Sequence, residues 1–135
     1  MSLSTFIHDS LINEQLHIGK NTKSLPGPRP TSRSELESII KQELKRQGPD
    51  ADLNFIDVSD IDNMYALFYH VNLKTPVGNI KIDKWDTSNV KSMRYMFSEC
   101  KDFNADLSSW DVSKVEDMQN MFDNCSSFNC DLSSW

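Results

Sequence analysis

Apolar positions in the second half of the chain follow two alternating spacings. Val115, Met118, Met121, Phe122 and Cys125 follow one another at steps of 3, 3, 1 and 3. At 100° per residue they fall within about 120° of arc, the stripe expected of a short helix with one buried side. Ser113 stands where a hydroxyl would cap the first free N–H groups, and Glu116 three residues later completes a capping box. Ser59 with Asp62 repeats that signal, whereas Ser88 faces Lys91 and has only the cap. Residues 106–112 read D-L-S-S-W-D-V, with Leu107, Trp110 and β-branched Val112, which predicts a short strand or extended turn.

The two patterns recur together. Residues 85–109 and 110–134 align without a gap at 14 identities in 25 positions, and Trp135 begins a further copy. An earlier, degenerate copy occupies 56–84, where Asp57, Ser59, Ile61, Met64, Leu67, Phe68 and Val71 match Asp86, Ser88, Val90, Met93, Met96, Phe97 and Cys100. Four extra residues, around 72–76, fit a surface loop. One extended piece and one short helix per copy cannot bury an apolar face alone, so neighbours are expected to stack, Phe97 over Phe122, Phe103 over Phe128 and Trp85 over Trp110.

The segment 31–55 reads as an N-terminal cap on that stack. Ser32 is the expected N-cap with Glu35 as its box partner, and Leu36, Ile39, Ile40 and Leu44 form a helical stripe stopped by Gly48-Pro49. Residues 20–30 (KNTKSLPGPRP) read as a linker, and residues 4–18 as an amphipathic helix packed on the repeats or on a partner. The organisation is thus a leader and linker over 1–30, a capping helix and lead-in over 31–55, and repeats over 56–135.

Composition narrows the function classes. The chain has 135 residues, 38% hydrophobic and 25% charged, enough for one domain and too apolar for a disordered chain. Residues 1–50 carry 7 Lys/Arg against 6 Asp/Glu, a net of +1, and residues 51–135 carry 7 against 14, a net of −7. An acidic segment lacks the clustered cations that phosphates require, which argues against nucleic acid or an anionic membrane as partner. No apolar run approaches the roughly 18 residues of a membrane span, and three cysteines without a signal peptide fit reduced thiols.

Candidate chemistry is sparse. His8, His17 and His70 stand at no motif spacing from an acid or nucleophile, and no phosphate loop or nucleophile elbow is present. We expect no catalytic residue, no cofactor and no metal. Cys100 and Cys125 read as core packing, and Cys130 as a small residue in the place of Ala105. Asp57, Asp86 and Asp111 recur at one position, where a turn accepting backbone N–H groups is preferred over a calcium ladder because the glycines of calcium-binding repeats are missing.

The pattern F-N-x-D-L-S-x-W-D-V-S-x-V-x-x-M-x-x-M-F-x-x-C over residues 103–125 resembles the BspA-type repeat of mycoplasma lipoproteins and bacterial surface proteins, a domain of unknown function. The resemblance covers about residues 33–135. It implies a leucine-rich-repeat-like solenoid, and with the residue pattern the expected fold is α/β, a short solenoid of extended-segment plus short-helix repeats with an N-terminal helical cap. It further implies a cell-surface or secreted adhesion-type protein, whereas the chain alone, without signal peptide or lipobox, reads as cytoplasmic. An end inside a repeat reads as a piece of a longer array, with an apolar C-terminal repeat face open to self-association.

The expected function is non-enzymatic protein–protein interaction, the partner being a protein of a host or of the same cell, with no nucleic acid and no membrane insertion. The competing readings are a structural stalk without its own ligand and a metal-dependent activity in the N-terminal region. Candidate partner-binding positions are those that differ between copies, Lys91, Arg94, Tyr95 and Glu99 in one and Glu116, Gln119 and Asn120 in the next, with Asn124 and the extended-segment residues Lys84, Thr87, Ser108 and Ser109 beside them.

Overall fold

The computed structural model describes residues 26–135. The amphipathic helix expected within 4–18, together with His8 and His17, lies outside the described residues. Among the described residues two helices form, α1 (Arg33–Gln47) and α2 (Leu67–Asn72), joined and followed by turns.

Helix α1 begins where the sequence places it. The Ser32 Oγ accepts from the Glu35 N–H at 3.2 Å. The Glu35 carboxylate reaches one residue further back, accepting from the Thr31 N–H at 3.3 Å. At the other end Gly48 takes φ 99°, a conformation open to glycine, and its N–H donates to the Leu44 carbonyl at 2.9 Å. Leu36, Ile39, Ile40 and Leu44 are buried, and so is Glu43, whose carboxylate accepts from Arg46 and Gln47 at 3.0 Å each.

The expected strand-plus-helix solenoid is not what forms. Among the described residues there is no strand and no sheet, only three isolated parallel bridges, Asp52 with Lys81, Asn63 with Ser92 and Ser92 with Asp117. Residues 106–112 make no bridge. The apolar stripes at 90–100 and 115–125 fold as turns, and the fold is not an α/β leucine-rich-repeat solenoid. The cause is local. Tyr95 and Glu99 (φ 57° and 64°) and, in the next copy, Asn120 and Asn124 (56° and 57°) sit in the left-handed region, which interrupts a right-handed helix every four residues. In the degenerate copy Ala66 (φ 51°) occupies the first of these positions, but His70, at the second, does not, and there alone α2 continues.

Neighbouring copies nevertheless lie against one another through regular backbone bonds. The N–H groups of Met64, Ala66 and Phe68 donate to the carbonyls of Ser92, Arg94 and Met96 at 2.8–2.9 Å. Met93, Tyr95, Phe97 and Glu99 donate likewise to Asp117, Gln119, Met121 and Asp123 at 2.8–3.0 Å. The corresponding N–H groups of Met118, Asn120, Phe122 and Asn124 have no backbone acceptor among the described residues. Behind this ladder the rings stack, Phe68 on Phe97 at 5.2 Å, Phe97 on Phe122 at 5.8 Å, Phe103 on Phe128 at 5.6 Å and Trp85 on Trp110 at 6.3 Å between centroids. One core runs from Leu36 to Met121, with Met118, Phe122, Cys125, Phe128, Leu132 and Trp135 packed on its end and only partly buried.

The serines expected to cap helices serve a different bond. The hydroxyls of Ser59, Ser88 and Ser113 each donate at 2.6 Å to the aspartate two residues before, Asp57, Asp86 and Asp111, and their backbone N–H groups donate to the same oxygens at 3.0 Å. Ser108 with Asp106 repeats the geometry. These Asx turns satisfy one carboxylate oxygen and hold the chain in a bend rather than opening a helix.

Candidate functional site

The three tyrosines of the chain come together. Tyr65, Tyr69 and Tyr95 line one groove of about 380 Å3, shared with Ala66, His70, Ser98, Glu99 and Asp123. That volume lies at the small end of the ~300–1,000 Å3 of ligand clefts.

Each wall is placed by a backbone feature already described. An Asx turn from Asn63 holds Tyr65, whose N–H donates to the Asn63 Oδ1 at 2.9 Å. The left-handed Ala66 then turns the chain into α2, which carries Tyr69 and His70. Across the ladder, left-handed Tyr95 and Glu99 project from the second copy, and Asp123 from the third. The Tyr65 and Tyr95 rings meet edge to face at 6.1 Å and 85°. Tyr65 remains 43% exposed, so much of an aromatic surface stays in contact with water.

One end of the groove is anchored to α1. Arg33 donates to the Tyr65 carbonyl through Nε, its Nη2 lies 3.0 Å from the His70 Nδ1, and Glu37 lies 3.6 Å from both Arg33 and His70. The guanidinium is thus balanced by Glu37. The other end is acidic, with Glu99 and Asp123 as the two charged residues of the lining beside His70. Glu99 Oε1 accepts from Asn124 Nδ2 at 2.6 Å, which fixes the carboxylate at the rim.

Of the positions expected from copy-to-copy variation, the groove gathers Tyr95 and Glu99 and leaves the others outside its lining. Arg94 lies beside it, its guanidinium 5.3 Å from the Tyr95 ring centre and 3.8 Å from Asp117. Lys91, Glu116, Gln119, Asn120 and Asn124 are exposed, as are Lys84, Ser108 and Ser109. Thr87 is not a surface position, being 1% exposed with its hydroxyl donating to the Asp111 carbonyl at 3.0 Å. Comparing copies does not find Tyr65 and Tyr69, since both fall in the degenerate copy, and the left-handed Ala66 that turns the chain toward them has no signature in the sequence.

The remaining chemistry lies in the core or at the surface. Burial pushes the Cys100 thiol up to about 12, and burial likewise takes Cys125 to about 11. Cys125 donates to the Phe97 carbonyl at 2.8 Å. Among the described residues no group of three or more His, Cys, Asp or Glu is disposed to hold a metal ion, and no helix is long and apolar enough to cross a membrane.

A family model described as Mycoplasma protein of unknown function, DUF285, matches residues 36–135. No curated protein and no solved structure matches the chain.

Proposed function

The chain belongs to the family described as Mycoplasma protein of unknown function, DUF285, and on that premise we propose that it is a non-enzymatic protein-binding module whose contact site is the tyrosine groove. The observation that carries this reading is the convergence of all three tyrosines on one face. Tyrosine offers a large contact area with a polar tip at low conformational cost, which is why it is enriched in recognition surfaces. The resemblance of residues 103–125 to BspA-type surface repeats supports the same class of role, binding to a protein of a host or of the same cell. His70 supports a structural rather than a catalytic use, because its Nδ1 is engaged with Arg33.

The test is a selection of displayed peptides on the full chain and, in parallel, on a Tyr65→Ser/Tyr69→Ser variant whose near-ultraviolet circular dichroism retains the tryptophan bands. Sequences enriched by the parent and not by the variant are expected. Identical selections on both, or none on either, would return the chain to the reading of a stalk whose surface is not used.

A further inference from the structure

We infer that the groove recognises a polypeptide segment through a lysine or arginine side chain, seated between the tyrosine rings and the Glu99 and Asp123 carboxylates. This inference rests on the protein-binding reading and names the chemistry of its partner.

Charge comes first. The groove lining contains two carboxylates and no lysine or arginine. Around it, residues 51–135 carry a net of −7, so the field drawing a cation to this face adds to the local pair. Arg33, the nearest guanidinium at the α1 end, is turned onto the Tyr65 carbonyl and opposed by Glu37, leaving the acidic end unneutralised from that side. The second argument is aromatic. Ring faces attract cations within about 6 Å of the centroid. Tyr95 already holds Arg94 at 5.3 Å, an internal instance of the contact proposed, and Arg94 in turn is offset by Asp117.

The third argument is shape. Ser98, 4% exposed, closes the groove floor, while the partly exposed Tyr65 forms an open wall. A long apolar stem ending in a cation fits such a site, since the methylenes can lie along the rings and the charge reach the carboxylates at the rim. A carboxylate-bearing or phosphorylated segment would meet Glu99 and Asp123 instead, and like charges brought together in a groove oppose binding.

The experiment is a titration of the isotopically labelled full chain with a capped hexalysine peptide, read by two-dimensional amide and tyrosine-ring NMR. Hexa-acetyllysine, hexaglutamate and spermidine are parallel arms, and Glu99→Gln/Asp123→Asn is the variant. Hexalysine is expected to shift the amides of Ala66, Tyr69, Ser98 and Glu99, with acetylation or the double variant weakening binding at least fivefold and added salt weakening it further. Equal binding of hexalysine and hexa-acetyllysine at the groove would overturn the cation while leaving the protein-binding groove standing. Equal binding of spermidine would overturn the polypeptide as its source. Absence of any groove shift with hexalysine would overturn the inference, and the peptide selection on the Tyr65→Ser/Tyr69→Ser variant then judges the broader reading separately.

Discussion

The indoles of Trp85 and Trp110 are stacked, 6.3 Å apart and 9° from parallel, and each donates its Nε1–H to a carbonyl of the preceding segment, Leu53 at 2.8 Å and Ile82 at 2.9 Å. The pair therefore joins copies twice, by ring stacking and by a buried hydrogen bond to a carbonyl that also accepts a backbone N–H, Leu53 from Ile56 and Ile82 from Trp85 at 3.2 Å each. Trp110→Phe keeps most of the stacking and removes the donor. Because the Ile82 carbonyl keeps the Trp85 N–H, the lost bond is expected to cost about 0.5–1.5 kcal/mol, the net range for one hydrogen bond. Trp135 makes the equivalent bond to the Leu107 carbonyl at 3.0 Å but is only partly buried, so Trp135→Phe should cost less. Urea unfolding of both variants measures the difference, and an equal loss would contradict the burial argument.

The same grading governs the phenylalanines. Phe97 is fully buried between Phe68, Phe103 and Phe122, with the nearest ring centre at 4.1 Å. Phe97→Ala should cost about 3–5 kcal/mol, as large-to-small changes in a packed aromatic core do. Phe122 stands one copy further on and keeps some exposure, so Phe122→Ala should cost clearly less although the two residues are identical in the repeat. The comparison asks whether position in the stack, rather than residue type, sets the energy.

What the residue pattern disclosed was the side-chain column, and what it concealed was the backbone beneath. Phe97 over Phe122 and Trp85 over Trp110 followed from alignment alone, because a repeat that buries one residue in each copy must superpose them. Helix α1 followed from Ser32, Glu35 and Gly48, each a local signal. The turns in place of helices did not follow, because Val115, Met118, Met121, Phe122 and Cys125 present the same apolar stripe to a core whether or not the chain winds continuously. Asn120 and Asn124 were the readable warning, since asparagine tolerates the left-handed region, but Tyr95 and Glu99 at the matching positions carry no such signature. The groove was half-visible for a related reason. Tyr95 and Glu99 stood out as positions that differ between copies, while Tyr65 and Tyr69 reach it through Ala66 and the short α2, features of one copy only.

Those left-handed positions give a clean stability test at Asn120, whose side chain is exposed. Alanine there would meet the steric cost of φ 56°, whereas glycine would not. Asn120→Ala is expected to be about 1 kcal/mol less stable than Asn120→Gly. In a helix the order would reverse, because glycine is there the weaker former by a similar amount. Chemical denaturation of the two variants thus distinguishes the observed turn from the helix that the sequence pattern predicts.

Acid should unfold the chain through its Asx turns. Hydroxyl and then backbone donors of Ser59, Ser108 and Ser113 hold Asp57, Asp106 and Asp111 below the ordinary carboxylate range, and Ser133, chiefly through its backbone N–H, does so for Asp131. A carboxyl whose folded value is depressed contributes stability that is complete above its unfolded value, about 3.9, and is lost as pH falls through the folded value. The thermal midpoint is accordingly expected to be nearly level between about pH 7 and 5 and to fall below about pH 4. Ser113→Ala should move the Asp111 titration, followed by carboxyl-carbon NMR, upward toward the ordinary value. A titration that stays in place would mean that the hydroxyl at 2.6 Å does not hold this carboxylate.

The cysteines should separate by reactivity. Thiolate is the nucleophile, so a thiol held protonated reacts slowly with a disulfide reagent. Burial takes Cys100 to about 12 and Cys125 to about 11, and both lie within the aromatic stack. Cys130 replaces the Ala105 of the preceding copy and sits near the exposed Asp106, its Sγ 3.7 Å from the carboxylate. Native protein treated with an aromatic disulfide at pH 8 is expected to release one equivalent of thiolate quickly and the other two only on unfolding. Cys130→Ser should remove the fast phase and leave the slow one. A fast phase that survives this substitution would place Cys125 at an accessible surface, contradicting its bond to the Phe97 carbonyl at 2.8 Å.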